Sequence, residues 1–116
     1  MDPQVSIVVV TSDRLVDLRR CLGSLRAHLR EADAPRTEIL TVHAPHDTAA
    51  MAMVRAEFPE VQVHTAERRH ISVQRNLGAR AARGEVIVYL DDDAWPHARW
   101  LSQLWRAFAD ERVVAA

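Results

Sequence analysis

At 116 residues, 48% apolar and 27% charged, the chain has the size and balance of one soluble domain with a single core. A net charge of −1 gives no electrostatic case for nucleic acid or an anionic membrane, and no apolar run reaches the ~20 residues of a membrane-spanning helix. All 15 Lys-plus-Arg residues are Arg, which excludes a Walker A phosphate loop and Schiff-base chemistry, both of which need lysine.

Val5 to Val10 is a short, β-branched apolar run and reads as a strand buried on both faces of a parallel sheet. Thr11-Ser12-Asp13 then supplies helix-capping side chains. Leu15, Leu18, Leu22, Leu25 and Leu29 follow at helical spacing, with Arg19, Arg20, Arg26 and Arg30 mainly on the other face. After a polar loop over Glu31 to Arg36, Glu38 to Val42 is the second expected strand. Asp47 is placed to cap a short helix marked by Met51, Val54 and Phe58, which Pro59 stops. Val61 to Thr65 alternates apolar and polar residues, as a strand nearer a sheet edge does.

Glu67-Arg68-Arg69-His70 reads as a charged, solvated loop, in which Arg68, Arg69 and His70 could alternatively bind an anion, and Ser72 as the cap of a third helix over Val73 to Ala82. Gly78 inside that helix weakens it by about 1 kcal/mol relative to Ala, so close packing or a ligand is expected there. Val86 to Leu90 is a second uninterrupted apolar strand, expected to lie beside Val5–Val10 at the centre of the sheet. It runs straight into Asp91-Asp92-Asp93. Pro96 suits the start of a fourth helix, on which Trp100, Leu101, Leu104, Trp105 and Phe108 make a broad apolar face. Val113 to Ala116 looks like the beginning of another strand. The alternation predicts one α/β domain over 1–116, in three layers around a mostly parallel sheet.

The acidic triplet is the chemically distinctive stretch. In an extended chain Asp91 and Asp93 point to one side and Asp92 to the other, and two carboxylates on one side can hold a hard divalent cation. The plainer reading is a solvated acidic turn. Its position favours the first reading, because open α/β sheets bind ligands beyond the carboxyl ends of their strands.

Taken together, Arg75-Asn76-Leu77-Gly78-Ala79, Ala82-Arg83-Gly84-Glu85, the apolar strand and Asp91-Asp92-Asp93 resemble the family 2 glycosyltransferases. The family pattern is R-N-x-G, then A-x-G-E, then an apolar strand and a D-x-D motif. The resemblance runs from Val5 to the end of the chain. It implies the nucleotide-sugar-binding half of a GT-A, Rossmann-like fold, incomplete at its C-terminus, and inverting transfer. A strand order of 3-2-1-4 would bring Thr11 to Asp13 beside the triplet. By the resemblance, Thr11 and Asp13 would line the nucleoside pocket, Asp91 would face the ribose or sugar, Asp92 would be among the donor-binding residues, and Arg75 would add positive charge or a base contact. Asp91 and Asp93 would hold Mn2+ or Mg2+ against the diphosphate.

The sequence departs from the family pattern in two places. His43 stands where the family carries the Asp that reads the nucleobase, which leaves the base open. The family domain also continues for ~100 residues or more, through the acceptor site and catalytic base, and no residue here matches that base. The expected partners are therefore a nucleotide-diphosphate sugar, an acceptor of unstated class, and a second copy or a missing C-terminal half. The single cysteine, Cys21, cannot form an internal disulfide and fits a cytoplasmic setting.

Two plainer readings accompany these. His43, His46, His64 and His70 lack the spacing of a zinc site and read as surface residues. Trp100 and Trp105 read as core rather than as a sugar platform, and Trp95 is open between the two. Two alternatives to an enzyme are an inactive glycosyltransferase remnant serving as an interaction module, and a receiver-like Mg-binding domain. The receiver reading ranks low, because receivers carry an acidic pair after their first strand and a late lysine.

Overall fold

The computed structural model describes residues 2–31, 33–94, 96 and 99–109. Eight elements alternate: β1 (Val5–Thr11), α1 (Leu15–Leu29), β2 (Thr37–His43), α2 (Thr48–Glu57), β3 (Gln62–Thr65), α3 (Ile71–Ala81), β4 (Val86–Asp91) and α4 (Trp100–Ala109). The strands form one sheet in the order β3-β2-β1-β4, and every pairing is parallel. This is the expected three-layer α/β arrangement. The expected strand at Val113–Ala116 and the side chain of Trp95 lie outside the described residues.

Period-two alternation divides the β1 side chains between two cores. Val5, Ile7 and Val9 pack with Leu18, Leu22 and Leu25 of α1, Met53 and Val54 of α2, and Leu101 of α4. Trp100 and Trp105 pack against the rim of this cluster, as core residues do. On the opposite face Val8 and Val42 form a smaller cluster with Ala66, joined by Val73 and Leu77 of α3. Gly78 lets α3 approach this closely: a Cβ there would stand 2.4 Å from Val8 Cγ1.

The register aligns Val5 with both Thr37 and Val86, so β1, β2 and β4 end level with one another. Thr11, His43 and Asp91 therefore emerge at one end of the sheet. That levelness positions the site.

One expectation needs correction. β4 does lie beside β1 and parallel to it, but among the described residues it is the outermost strand and is not buried on both faces. Its side chains alternate half-buried and exposed, with Ile87 and Tyr89 facing outward. The physical reason is the placement of α3, which packs mainly across β1 and β2. An apolar run specifies a strand but not what covers it.

Candidate functional site at the carboxyl ends of β1 and β4

A cleft of about 410 Å³ opens at the strand ends. Thr11, Ser12 and Arg14 form one wall, Asp91, Asp92 and Asp93 the next, and Arg69, His70 and Gln74 a third. β1 leads through α1 to β2 on one side of it, and β4, reached through α3, lies on its other side, so the crevice falls where the strand order reverses.

Asp92 is the most enclosed of the three carboxylates. It is 7% exposed and accepts a 2.9 Å hydrogen bond from Thr11 Oγ1. Burial pushes its carboxyl above the usual range, opposed by the Thr11 hydrogen bond and the Arg14 charge. Asp91 and Asp93 are exposed. The expected alternation of the three side chains stops at the end of β4. Asp91 is the last strand residue, and a turn follows in which the Ala94 amide donates to the Asp91 carbonyl at 3.1 Å. In consequence Asp92 and Asp93 both approach one guanidinium, Arg14 Nη1, at 3.9 and 3.4 Å.

The turn after β1 does not cap α1 with a hydroxyl or carboxylate, as its composition suggested. Arg14 is the N-cap residue and makes no side-chain capping bond. Asp13 adopts φ 59°, a left-handed conformation that Asp tolerates better than most residues. Its carboxylate accepts from His46 Nε2 at 3.0 Å and pairs with Arg69 at 3.6 Å. The His46 hydrogen bond holds the Asp13 carboxyl below its ordinary range. Likewise His70, not Ser72, caps α3, its Nδ1 accepting the Ser72 amide at 3.2 Å.

Of the residues expected at the site, the fold brings Thr11, Asp91, Asp92 and Asp93 into the cleft wall. Asp13 does not line the cleft but pairs with Arg69, which does. Arg75 lies elsewhere, its guanidinium carbon 5.7 Å from the Tyr89 ring centre on the outer face of β4.

Two cleft residues, Arg14 and Gln74, were not considered from the sequence, and a third, Arg69, was weighed as an anion binder and set aside for a solvated loop. Arg14, between the capping triplet and the leucine-rich helix, carried no motif of its own. Arg69 belonged to a loop read as solvated. Gln74 is 2% exposed, and its amide donates to the carbonyls of Thr11 at 3.1 Å and Val42 at 3.0 Å. It ties the ends of β1 and β2 together across the cleft floor. A polar residue at an apolar-face position of a helix was the available signal.

His43 is not a surface residue either. It is fully buried, with Nδ1 3.2 Å from Asp47 and Nε2 2.9 Å from Thr41 Oγ1. Burial lowers its pKa, so the neutral ring donates from Nδ1 to Asp47 and accepts the Thr41 hydroxyl. Asp47 is consequently engaged with His43 and makes no capping bond to α2. With both ring nitrogens occupied, His43 supports the strand end from inside.

A divalent cation is compatible with this donor set in one specific way. Among the described residues no group of three or more His, Cys, Asp or Glu is arranged to hold a metal ion. Mg2+ and Mn2+ commonly take one or two carboxylates and complete their shell with water and substrate phosphate. Asp91 and Asp93, exposed hard-oxygen donors on a cleft wall, fit that pattern.

Residues 6–116 match the family model for glycosyl transferase family 2. The chain belongs to that family. EpsH of Bacillus subtilis (strain 168), provisionally named a glycosyltransferase, is 30% identical over 115 residues, covering 94% of this chain and 31% of EpsH. Among solved structures, the fold resembles the mannosyltransferase PcManGT from Pyrobaculum calidifontis, determined with GDP-Man and Mn2+. The TM-score is 0.77 at 23% identity, over 97% of this chain and 34% of that one. S. aureus TarS 1-349 gives a TM-score of 0.73 at 17% identity, over 97% and 33% of the two chains. The glycosyltransferase family 2 chain thus spans about a third of the length of the relatives it matches. No helix among its described residues is long and apolar enough to cross a membrane.

Proposed function

We propose that the cleft binds the nucleoside diphosphate of a sugar donor, with Mn2+ or Mg2+ held by Asp91 and Asp93. The observation that carries this reading is the meeting of Thr11 with Asp92 at the strand-order reversal, which puts three carboxylates and Arg14 around one crevice. When bound, the metal supplies charge neutralisation of the diphosphate and of the departing nucleotide. The protein's own residues do the rest. Thr11 and Asp92 form a hydrogen-bonded wall against which a ribose or sugar hydroxyl can be oriented. Gln74 fixes the floor by holding the β1 and β2 ends together. Arg69 keeps Asp13 close to the nucleoside side, and Arg75 is a more distant cation on the Tyr89 face.

In this reading the full-length protein is an inverting transferase, in which an acceptor hydroxyl attacks the anomeric carbon with help from a base. That base and the acceptor wall are proposed to lie outside these 116 residues, so this chain by itself should not transfer sugar at an enzymatic rate. Calorimetric titration of GDP and UDP, with and without Mn2+, tests the assignment. Binding that requires Mn2+ and weakens in Asp93→Ala supports it. Equal affinity in wild type and Asp93→Ala removes Asp93 from the site.

A further inference from the structure

We propose that Arg14 is a built-in counter-ion for the acidic triplet, handed over to the phosphates when metal and nucleoside diphosphate bind together. The proposal rests on the reading of the cleft given above. Arg14 Nη1 lies 3.4 Å from Asp93 and 3.9 Å from Asp92, so one guanidinium serves two carboxylates from the other side of the crevice. Both contacts are long for charged hydrogen bonds, and the Arg14 side chain is 52% exposed. The pairing is therefore easily exchanged.

Its backbone, by contrast, is fixed: the Leu18 amide donates to the Arg14 carbonyl at 2.8 Å, closing the first turn of α1. The side chain takes no part in capping that helix. It is a mobile charge on a fixed post. Arg69, the other arginine of the wall, is already paired with Asp13.

A guanidinium and a divalent cation compete for Asp93, because like charges drawn to one carboxylate repel each other. Metal arriving alone must displace Arg14 without giving it a new partner. Metal arriving with a diphosphate brings anionic oxygens that the planar guanidinium fork suits well. Arg14 then couples the two ligands: each binds more tightly with the other present, by the same factor. The class of ligand so selected is a metal-complexed diphosphate, in preference to either component alone.

The test measures Mn2+ affinity by electron paramagnetic resonance of the free ion, with and without GDP or UDP. Wild type, Arg14→Gln and Arg14→Lys are compared, with folding verified by circular dichroism. Arg14→Gln should bind Mn2+ alone about tenfold more tightly than wild type, bind nucleotide in Mn2+ several-fold more weakly, and show reduced coupling, keeping only the part that direct metal–phosphate contact supplies. Arg14→Lys keeps the charge and should match wild type for Mn2+ alone while losing part of the nucleotide affinity. Unchanged or weaker Mn2+ binding in Arg14→Gln overturns the counter-ion role, whatever nucleotide does. If wild type takes no nucleotide even with Mn2+, the functional reading and the hand-over both fall. Nucleotide binding by wild type with undiminished coupling in Arg14→Gln overturns the hand-over alone.

Discussion

Thr11 and Asp92 stand 81 positions apart in the chain, yet the Thr11 hydroxyl donates to the Asp92 carboxylate at 2.9 Å across the gap between β1 and β4. Parallel pairing makes this contact: Val10 is level with Asp91, so the next residue of each strand faces the other. Thr11→Val keeps the shape and deletes the donor. The loss should cost about 1.5–3 kcal/mol of stability in urea denaturation, since a buried carboxylate loses a hydrogen bond.

Asp92 itself should be a stability liability at neutral pH. Burial raises its folded pKa above the ordinary 3.8, so its cost is fully present above the folded pKa and relieved as pH falls towards 3.8. Asp92→Asn keeps an acceptor for Thr11 and removes the charge. Its urea midpoint should exceed that of wild type at pH 7, with the difference shrinking as pH approaches 4.

His43 should make the fold acid-sensitive in the opposite sense. Burial lowers its folded pKa below 6.5, so its contribution is fully present above pH 6.5 and is lost as pH falls through the folded value. The slope attributable to one such group is at most about 1.4 kcal/mol per pH unit. His43→Gln can still donate to Asp47 and accept from Thr41, but cannot titrate. Its denaturation midpoint should vary less with pH between 6.5 and 5 than that of wild type.

Gly78→Ala sets helix propensity against packing. Ala gains about 1 kcal/mol in an isolated helix, whereas forcing a methyl into a filled site costs about 1–3 kcal/mol. The 2.4 Å approach to Val8 Cγ1, with both Val8 methyls and Val42 close by, favours the packing cost. Urea denaturation should show net destabilisation.

Cys21 should be inert while the protein is folded. Burial, with the charges of Asp92 and Asp93, pushes its thiol up to about 12. Labelling by a thiol reagent at pH 8 should be slow in buffer and fast in denaturant.

The parts of this fold that were legible in the sequence are those written in apolar periodicity. Val5–Val10 announced a buried strand and the leucines of α1 a helix, because a repeated spacing survives without knowledge of the partner. The apolar run of β4 meeting Asp91 pointed to the strand ends where the cleft opens, and the R-N-x-G and A-x-G-E segments gave the family. Roles that depend on a single tertiary partner were not legible. His43 is buried because Asp47 and Thr41 satisfy both ring nitrogens. Asp13 does not cap because His46 and Arg69 claim its carboxylate. Arg14 belongs to the cleft because the turn after β4 sends Asp92 and Asp93 towards it. Nor does the run Val86–Leu90 reveal that α3 packs mainly on β1 and β2.

In the proposed complex, metal and diphosphate occupy the crevice between the ends of β1 and β4. Paramagnetic broadening by Mn2+ maps this directly, using backbone amide resonances of the labelled protein with GDP or UDP in slight excess. The amides of Thr11 to Arg14 and Asp91 to Ala94 should broaden first, and Asp93→Ala should abolish the effect at those positions. Broadening centred elsewhere, for example on Glu57 and Glu60 beside Arg19 and Arg26, or persisting unchanged in Asp93→Ala, would contradict it.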